Sequence, residues 1–425
     1  MSNSQSSSRP ALIWVALLLI VSLFFMWGVA NNLNDILITQ FKKAFVLSDL
    51  QSGLVQSAFY FGYFVFAIPA ALAMKRFGYK AAVIVGLLLY AVGAGLFYPA
   101  ALAHEYVFFL AALFIIASGL SFLETSANPL IVALGDPATA ERRLNFAQSF
   151  NSLGTISGVL IGREFILSGV EHSPDELAAM SAAEQTAFYT SEVQAVAGPY
   201  LAIAAVVLCW ALAVALVKFP VLASKHTDSD ETFRLADFKA LFNQRYYMFG
   251  VLAQFFYVGA QVCIWSFMIR YGQEAMPGAG EKSLATYLTL SLVAFMVGRF
   301  FSTWLMGYVN PARLMGWYAL INILLCGYAV VAANHSGLIA LASTSFFMSL
   351  MFPTIFALSI KGLGGLAKTG SSLLIMAIIG GAIITAIMGL VSDLTSMHTA
   401  VVVPLLCFGV VGLFAKRSLS EGGHE

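Results

Sequence analysis

Long apolar runs separated by short polar breaks fill this chain from end to end, with none of the alternation that marks half-buried strands. A helix needs about 20 mostly apolar residues to cross a bilayer. Cutting at the polar breaks predicts twelve such helices, near 11–41, 50–74, 81–103, 106–134, 144–168, 196–217, 246–271, 283–308, 314–333, 336–360, 369–392 and 398–415. The run from Ala11 to Phe41 is longer than the apolar core of a secretory signal, about 7 to 15 residues. It is expected to stay as the first span.

The chain divides at its longest polar stretch between spans, Lys218 to Arg245. This gives an amino-terminal six-helix bundle over 1–217, a linker over 218–245 and a carboxy-terminal six-helix bundle over 246–425. Within the linker, Phe233, Phe238, Leu241 and Phe242 have the spacing of a short amphipathic helix lying along a membrane surface. The halves echo each other. Asn128-Pro129 in span four corresponds to Phe352-Pro353 in span ten, and Gly154 and Gly162 in span five correspond to Gly381 and Gly389 in span eleven. Two parallel halves of six spans resemble the major facilitator fold, whose substrate cavity lies centrally between the bundles. Gly154, Gly158 and Gly162, four apart, leave one helix face open to close approach by a neighbour, for packing or for movement. Pro69, Pro129 and Pro353 each remove a backbone hydrogen bond and bend a span.

Composition excludes a soluble domain: 60% of the 425 residues are hydrophobic and 10% charged, and the mean hydropathy is +0.85. A soluble domain carries about 25% charged residues. The formal net charge of +1 leaves no basic excess for nucleic acid. With the amino terminus placed in the cytoplasm, sixteen Lys and Arg residues fall on the cytoplasmic side and four on the other. Basic residues concentrate inside, so both termini are expected in the cytoplasm and the protein in the inner membrane. The outer loop Gly169–Gln194, rich in Glu and Asp, has no Lys or Arg and agrees with that orientation. Cys209, Cys263, Cys326 and Cys407 stand singly inside apolar runs and read as buried thiols. The six histidines fall in loops or at the tail, so neither a metal centre nor a cofactor site is expected. No nucleophile and base share usable spacing within the spans, which speaks against an enzyme.

Ionisable residues within spans are the informative ones, because a charge at the bilayer centre costs about 2.5 to 3.5 kcal/mol on insertion scales. There are five: Asp35, Glu124, Arg163, Glu164 and Arg299. Asn31, Asn32 and Asp35 share one helical face; they form either a polar helix end at the outer interface or a cavity wall carrying a carboxylate. Glu124 lies far from both ends of span four. Burial penalises its charged form, which suits a residue that takes and releases protons; the alternative is a packing hydrogen bond to another helix. Arg163 and Glu164 lie near the outer end of span five, as interface anchors or functional groups. Arg299 needs a carbonyl or carboxylate from another helix, or else lines the cavity. Span five adds Asn145, Gln148, Asn151 and Ser152, and span seven adds Gln254, Gln261 and Trp265. Amides that both donate and accept, beside an aromatic plane, suit a polyhydroxylated ring. Gln148, Asn151, Gln261 and Trp265 are therefore candidate sugar contacts, each with interhelical hydrogen bonding as its alternative.

Several long strings carry a specific resemblance. They are Phe24 to Asp35 (FFMWGVANNLND), Gln56 to Phe64 (QSAFYFGYF), Leu123 to Pro129 (LETSANP), Leu144 to Ser152 (LNFAQSFNS), Tyr257 to Gln261 (YVGAQ) and Pro353 to Phe356 (PTIF). In this order they resemble the L-fucose–proton symporter family of the major facilitator superfamily over nearly the whole chain. The resemblance implies proton coupling at Asp35 and Glu124 and sugar contact at Asn32, Gln148 and Asn151. It implies a monosaccharide and protons as partners, a lipid bilayer as solvent, and no cofactor, metal or nucleic acid; the carrier is expected to work as a monomer. Two positions depart from the family. Lys75 in the loop Met74–Lys80 stands where an Asp is usual, and Phe352 stands where the fucose carriers have a Tyr. Glucose, galactose and N-acetylglucosamine therefore remain alternatives to L-fucose, and a proton-driven exporter or a sugar sensor are alternatives to an importer.

Overall fold

The computed structural model describes residues 9–47, 49–134, 136–166, 176, 179–217, 235–279 and 281–421. Within these residues the regular structure is helical. The helices are α1 (Arg9–Ala44), α2 (Asp49–Gly95), α3 (Phe97–Ala103), α4 (Tyr106–Ala133), α5 (Ala140–Phe165), α6 (Ala182–Gln194), α7 (Ala197–Leu216), α8 (Leu235–Asn243) and α9 (Arg245–Ala275). They continue as α10 (Glu281–Leu305), α11 (Pro311–Val331), α12 (His335–Met348), α13 (Met351–Ile360), α14 (Ala367–Met376), α15 (Gly380–Leu394), α16 (Met397–Ala400) and α17 (Val402–Glu421).

Nine helical stretches among the described residues are long and apolar enough to cross a membrane. The first of them, Leu54–Ala103, holds the predicted spans two and three, which join without a gap except at Gly78. There φ is +83°, a value that L side chains rarely adopt. The first predicted span is α1, with a described apolar stretch Leu18–Leu33. The fifth is α5, 26 residues long and the most polar of the predicted spans, with Asn145, Gln148, Asn151 and Ser152 along it. Predicted span ten is two helices, α12 and α13, divided at Ser349 and Leu350 ahead of Pro353.

Two predicted features change. The loop expected on the outer side contains α6, a helix that its acidic composition does not distinguish from a loop. A capping box starts it: Ser181 Oγ accepts from the Glu184 N–H, and the Glu184 carboxylate accepts from the Ser181 N–H at 2.8 Å. Cys209 is exposed on α7, whereas Cys263, Cys326 and Cys407 are buried. A position on the lipid-facing side of an apolar helix gives no sequence signal that separates it from the packed side. Most of the linker, including Phe233, lies outside the described residues; α8 covers its end, with Leu241 buried and Phe242 exposed.

The chain forms two compact units. One contains 1–124 and 153–225, the other 125–152 and 226–425. In the first, α5 lies against α1 through its glycines. A Cβ at Gly154 would overlap the Phe25 carbonyl, and one at Gly158 would come within 2.7 Å of the Val29 carbonyl. In the second, a Cβ at Gly380 would overlap the Phe255 carbonyl on α9. Gly380 is the immediate neighbour of Gly381, the glycine matched from the sequence.

Lys80, the last residue of the loop motif between spans two and three, closes the end of α7. Its ammonium donates to the Ala215 and Val217 carbonyls at 2.7 and 3.0 Å, where the helix dipole favours a cation. Lys80→Met is expected to destabilise the protein by about 1 kcal/mol, read as a lower melting temperature in detergent, and Lys80→Arg should largely restore it.

Candidate functional site

Asp35, Asn32 and Glu124 fall in the first unit; Gln148, Asn151, Gln261 and Trp265 fall in the second. Asp35 lies in α1, but its side chain is outside the described residues, as is that of Arg163.

In the first unit, Asn31 and Asn32 of α1 are half-buried against other helices. Asn32 Nδ2 donates to the Thr155 carbonyl of α5 at 3.1 Å. Glu124, in the middle of α4, is 6% exposed. Among the described residues no Lys, Arg or His pairs with it. Its neighbour is Tyr63 of α2, whose hydroxyl stands beside both the Glu124 carboxylate and the Asn31 side chain. Neither Tyr63 Oη nor Asn31 Oδ1 completes a hydrogen bond within the described residues. The result is a carboxyl group, a phenol and an amide grouped in a buried site with hydrogen-bonding capacity to spare. Sequence reading isolated Glu124 and Asn31 but not Tyr63, which looks like one more aromatic in FYFGYF.

In the second unit, the candidate residues of α5 are held by their own neighbours. Gln148 is 3% exposed, and its Nε2 donates to Asn128 Oδ1 of α4 at 3.1 Å. Asn145 Nδ2 donates to the Glu141 carbonyl at 2.9 Å and to Thr354 Oγ1 of α13 at 3.0 Å. Asn151 is half-buried one turn further along. On α9, Gln261 is half-buried, and Trp265 donates from Nε1 to Ser345 Oγ of α12 at 3.1 Å, with its ring edge-on to Phe295 at 5.0 Å. Ser345 in turn bonds Ser291 of α10, so the indole plane is fixed from two helices. Gln254 lies fully buried two turns before Gln261, with neither amide atom hydrogen-bonded among the described residues. Arg299 is 3% exposed on α10 and finds carbonyls rather than a carboxylate: Ser349 O at 2.6 Å from Nε and Gln148 O at 3.1 Å from Nη1. Glu164 is exposed near the end of α5.

The first unit thus holds a buried carboxyl without a cationic partner among the described residues, and the second, taken by itself, holds fixed amides and an indole plane. The Major Facilitator Superfamily model matches residues 15–373. The chain is 49% identical to the L-fucose-proton symporter of Escherichia coli (strain K12), over 97% of this chain and 95% of that protein. It belongs to the L-fucose–proton symporter family of the Major Facilitator Superfamily. The same family relationship reaches the glucose/galactose transporter of Brucella abortus (strain 2308), 36% identical over 95% of this chain and 94% of that one. The crystal structure of the transporter FucP in the outward conformation superposes with a TM-score of 0.88 at 49% identity, covering 95% of this chain and 98% of that one. The protein is accordingly a multi-pass membrane transporter with the twelve-helix major facilitator fold, and its relatives are carriers rather than enzymes.

Proposed function

We propose that this transporter imports a neutral monosaccharide, L-fucose in the first instance, together with a proton, by alternating access across the inner membrane. Glu124 and Asp35 exchange the proton, while Asn32, Gln148, Asn151, Gln261 and Trp265 contact the sugar. The carrier works as a monomer with both termini in the cytoplasm, its halves 1–217 and 246–425 joined by the linker 218–245. The observation that carries this reading is Glu124: a carboxyl group 6% exposed in the middle of a span, with no basic partner among the described residues. A carboxyl kept only for packing would be expected to have its charge compensated. The 49% identity to a proton symporter supports the same reading, and the glucose/galactose carriers at 36% identity mark the nearest alternative substrates.

The test is uptake of labelled L-fucose, D-glucose, D-galactose and N-acetylglucosamine into energised vesicles, with and without a proton ionophore. L-Fucose is expected to accumulate and the ionophore to abolish accumulation. Preference for glucose or galactose would reassign the substrate within the family. Uptake of none of the four, or uptake indifferent to the ionophore, would contradict the proposal.

A further inference from the structure

Two prolines interrupt the helix ladder in the same way, and both vacated carbonyls are claimed by side chains from other helices. Proline has no N–H, so the carbonyl four residues before it loses its helical partner. Pro129 inside α4 strips Thr125, and Pro353 in the first turn of α13 strips Ser349. Ser371 Oγ on α14 lies 3.0 Å from the Thr125 carbonyl and 2.8 Å from the Lys368 carbonyl, its single proton serving either. Arg299 Nε takes the Ser349 carbonyl at 2.6 Å.

The two repairs are chemically unequal. A hydroxyl suffices at Thr125, yet Ser349 is met by a guanidinium that is 3% exposed and has no carboxylate partner among the described residues. Its face lies over the Phe295 ring, 4.4 Å from the centroid. Burying an uncompensated cation is costly, and filling one carbonyl does not require it. What a guanidinium adds is a second directed donor in a rigid fork. Here Nη1 extends to the Gln148 carbonyl of α5 at 3.1 Å. That contact joins three others on the same segment: Asn145 with Thr354, Thr125 with Ser371, and the edge-on pair Phe150 and Phe300 at 6.4 Å. All of them fasten residues 125–152, the ends of α4 and α5 with the turn between them, to helices of the carboxy-terminal region, the unit with which this segment clusters.

We infer that Arg299 is the clasp of a latch, keeping the Ser349 carbonyl with one nitrogen and gripping segment 125–152 through the Gln148 carbonyl with another. Opening of this segment away from α10, α13 and α14 requires the grip on Gln148 and the Asn145–Thr354 bond to break. The need to open rests on the alternating-access reading; the latch itself does not. Its placement on Gln148, whose side chain is a candidate sugar contact, puts ligand and latch on one residue, so binding can bias the clasp directly.

The experiment measures the distance between spin labels on Ala138→Cys, in the turn of the segment, and Gly365→Cys, before α14. It is done in proteoliposomes without sugar, in a Cys209→Ser background. Both sites are exposed, and Gly365 has open space for a side chain. The unaltered clasp should give one predominant short distance. Arg299→Met should raise the ratio of a longer population to the short one by about tenfold, as the loss of a charge-assisted hydrogen bond implies. Arg299→Lys, a point charge without the fork, should also raise it. Thr354→Val and Ser371→Ala should each raise it by about threefold. Unchanged distances in folded Arg299→Met would overturn the latch. Should Arg299→Met not fold, unchanged distances in both Thr354→Val and Ser371→Ala would do the same. The readout needs no substrate, so failure here is distinct from failure of the sugar assignment.

Discussion

Glu124→Gln is expected to abolish sugar accumulation while leaving the carrier folded and able to exchange sugar across the membrane. One proton moved with a neutral sugar gains about 2.3 kcal/mol per 100 mV of membrane potential. At about 1.4 kcal/mol per factor of ten, that supports roughly forty-fold accumulation before any pH gradient contributes. The glutamine keeps the shape and one acceptor oxygen beside Tyr63 but cannot take up and release the proton, so the full factor should vanish. Counterflow of labelled against unlabelled sugar in de-energised vesicles separates the two functions: it should persist in the variant, and Asp35→Asn should behave alike. Wild-type accumulation in both variants would show that these carboxyl groups serve packing.

The second large effect is structural. Gly154→Val places a branched side chain where even a Cβ overlaps the Phe25 carbonyl. Backbone cannot rotate out of the way as a flexible side chain can, so α5 and α1 must separate. The expected cost is about 3 kcal/mol, seen as a lower melting temperature or loss of a monodisperse species, with transport falling as Asn32 loses the Thr155 carbonyl. Gly198→Ala is the control: a Cβ there meets nothing within 4 Å, and the melting temperature should hold. Equal behaviour of the two variants would mean that the glycine seam between α1 and α5 does not bear on stability.

The fold was legible because lipid leaves few options. Backbone groups must be satisfied within each span, so apolar length locates most of the spans; α5, studded with Asn, Gln and Ser, is the weakest of them by that measure. Pro353, read as a bend within span ten, lies just after the point where that span divides into α12 and α13. The helix at Ala182–Gln194 was missed because an acidic loop and an acidic surface helix have the same composition, although Ser181 and Glu184 carried its capping signature.

The candidate site is legible in its charges and less so in its partners. Glu124 and Arg299 stand out against apolar neighbours in sequence. Tyr63 does not, since a phenol in an aromatic run is indistinguishable from core. The acceptors of Arg299 were beyond reach for a physical reason: both are main-chain carbonyls, which every residue has and no residue type announces. Only the proline at 353 hinted that one of them would be vacant. The amides show the opposite ambiguity. Gln148 and Asn145 suit a sugar by composition, yet each already bonds a neighbouring helix, so a sugar contact by Gln148 must exchange or supplement the bond to Asn128.

Whether hydrogen ions travel with the sugar is read most directly by a pH electrode. Adding L-fucose to lightly buffered, de-energised vesicles should produce a transient alkalinisation of the medium with the wild-type carrier and none with Glu124→Gln. Sugar entry without any pH change, or the same change in the variant, would contradict the account.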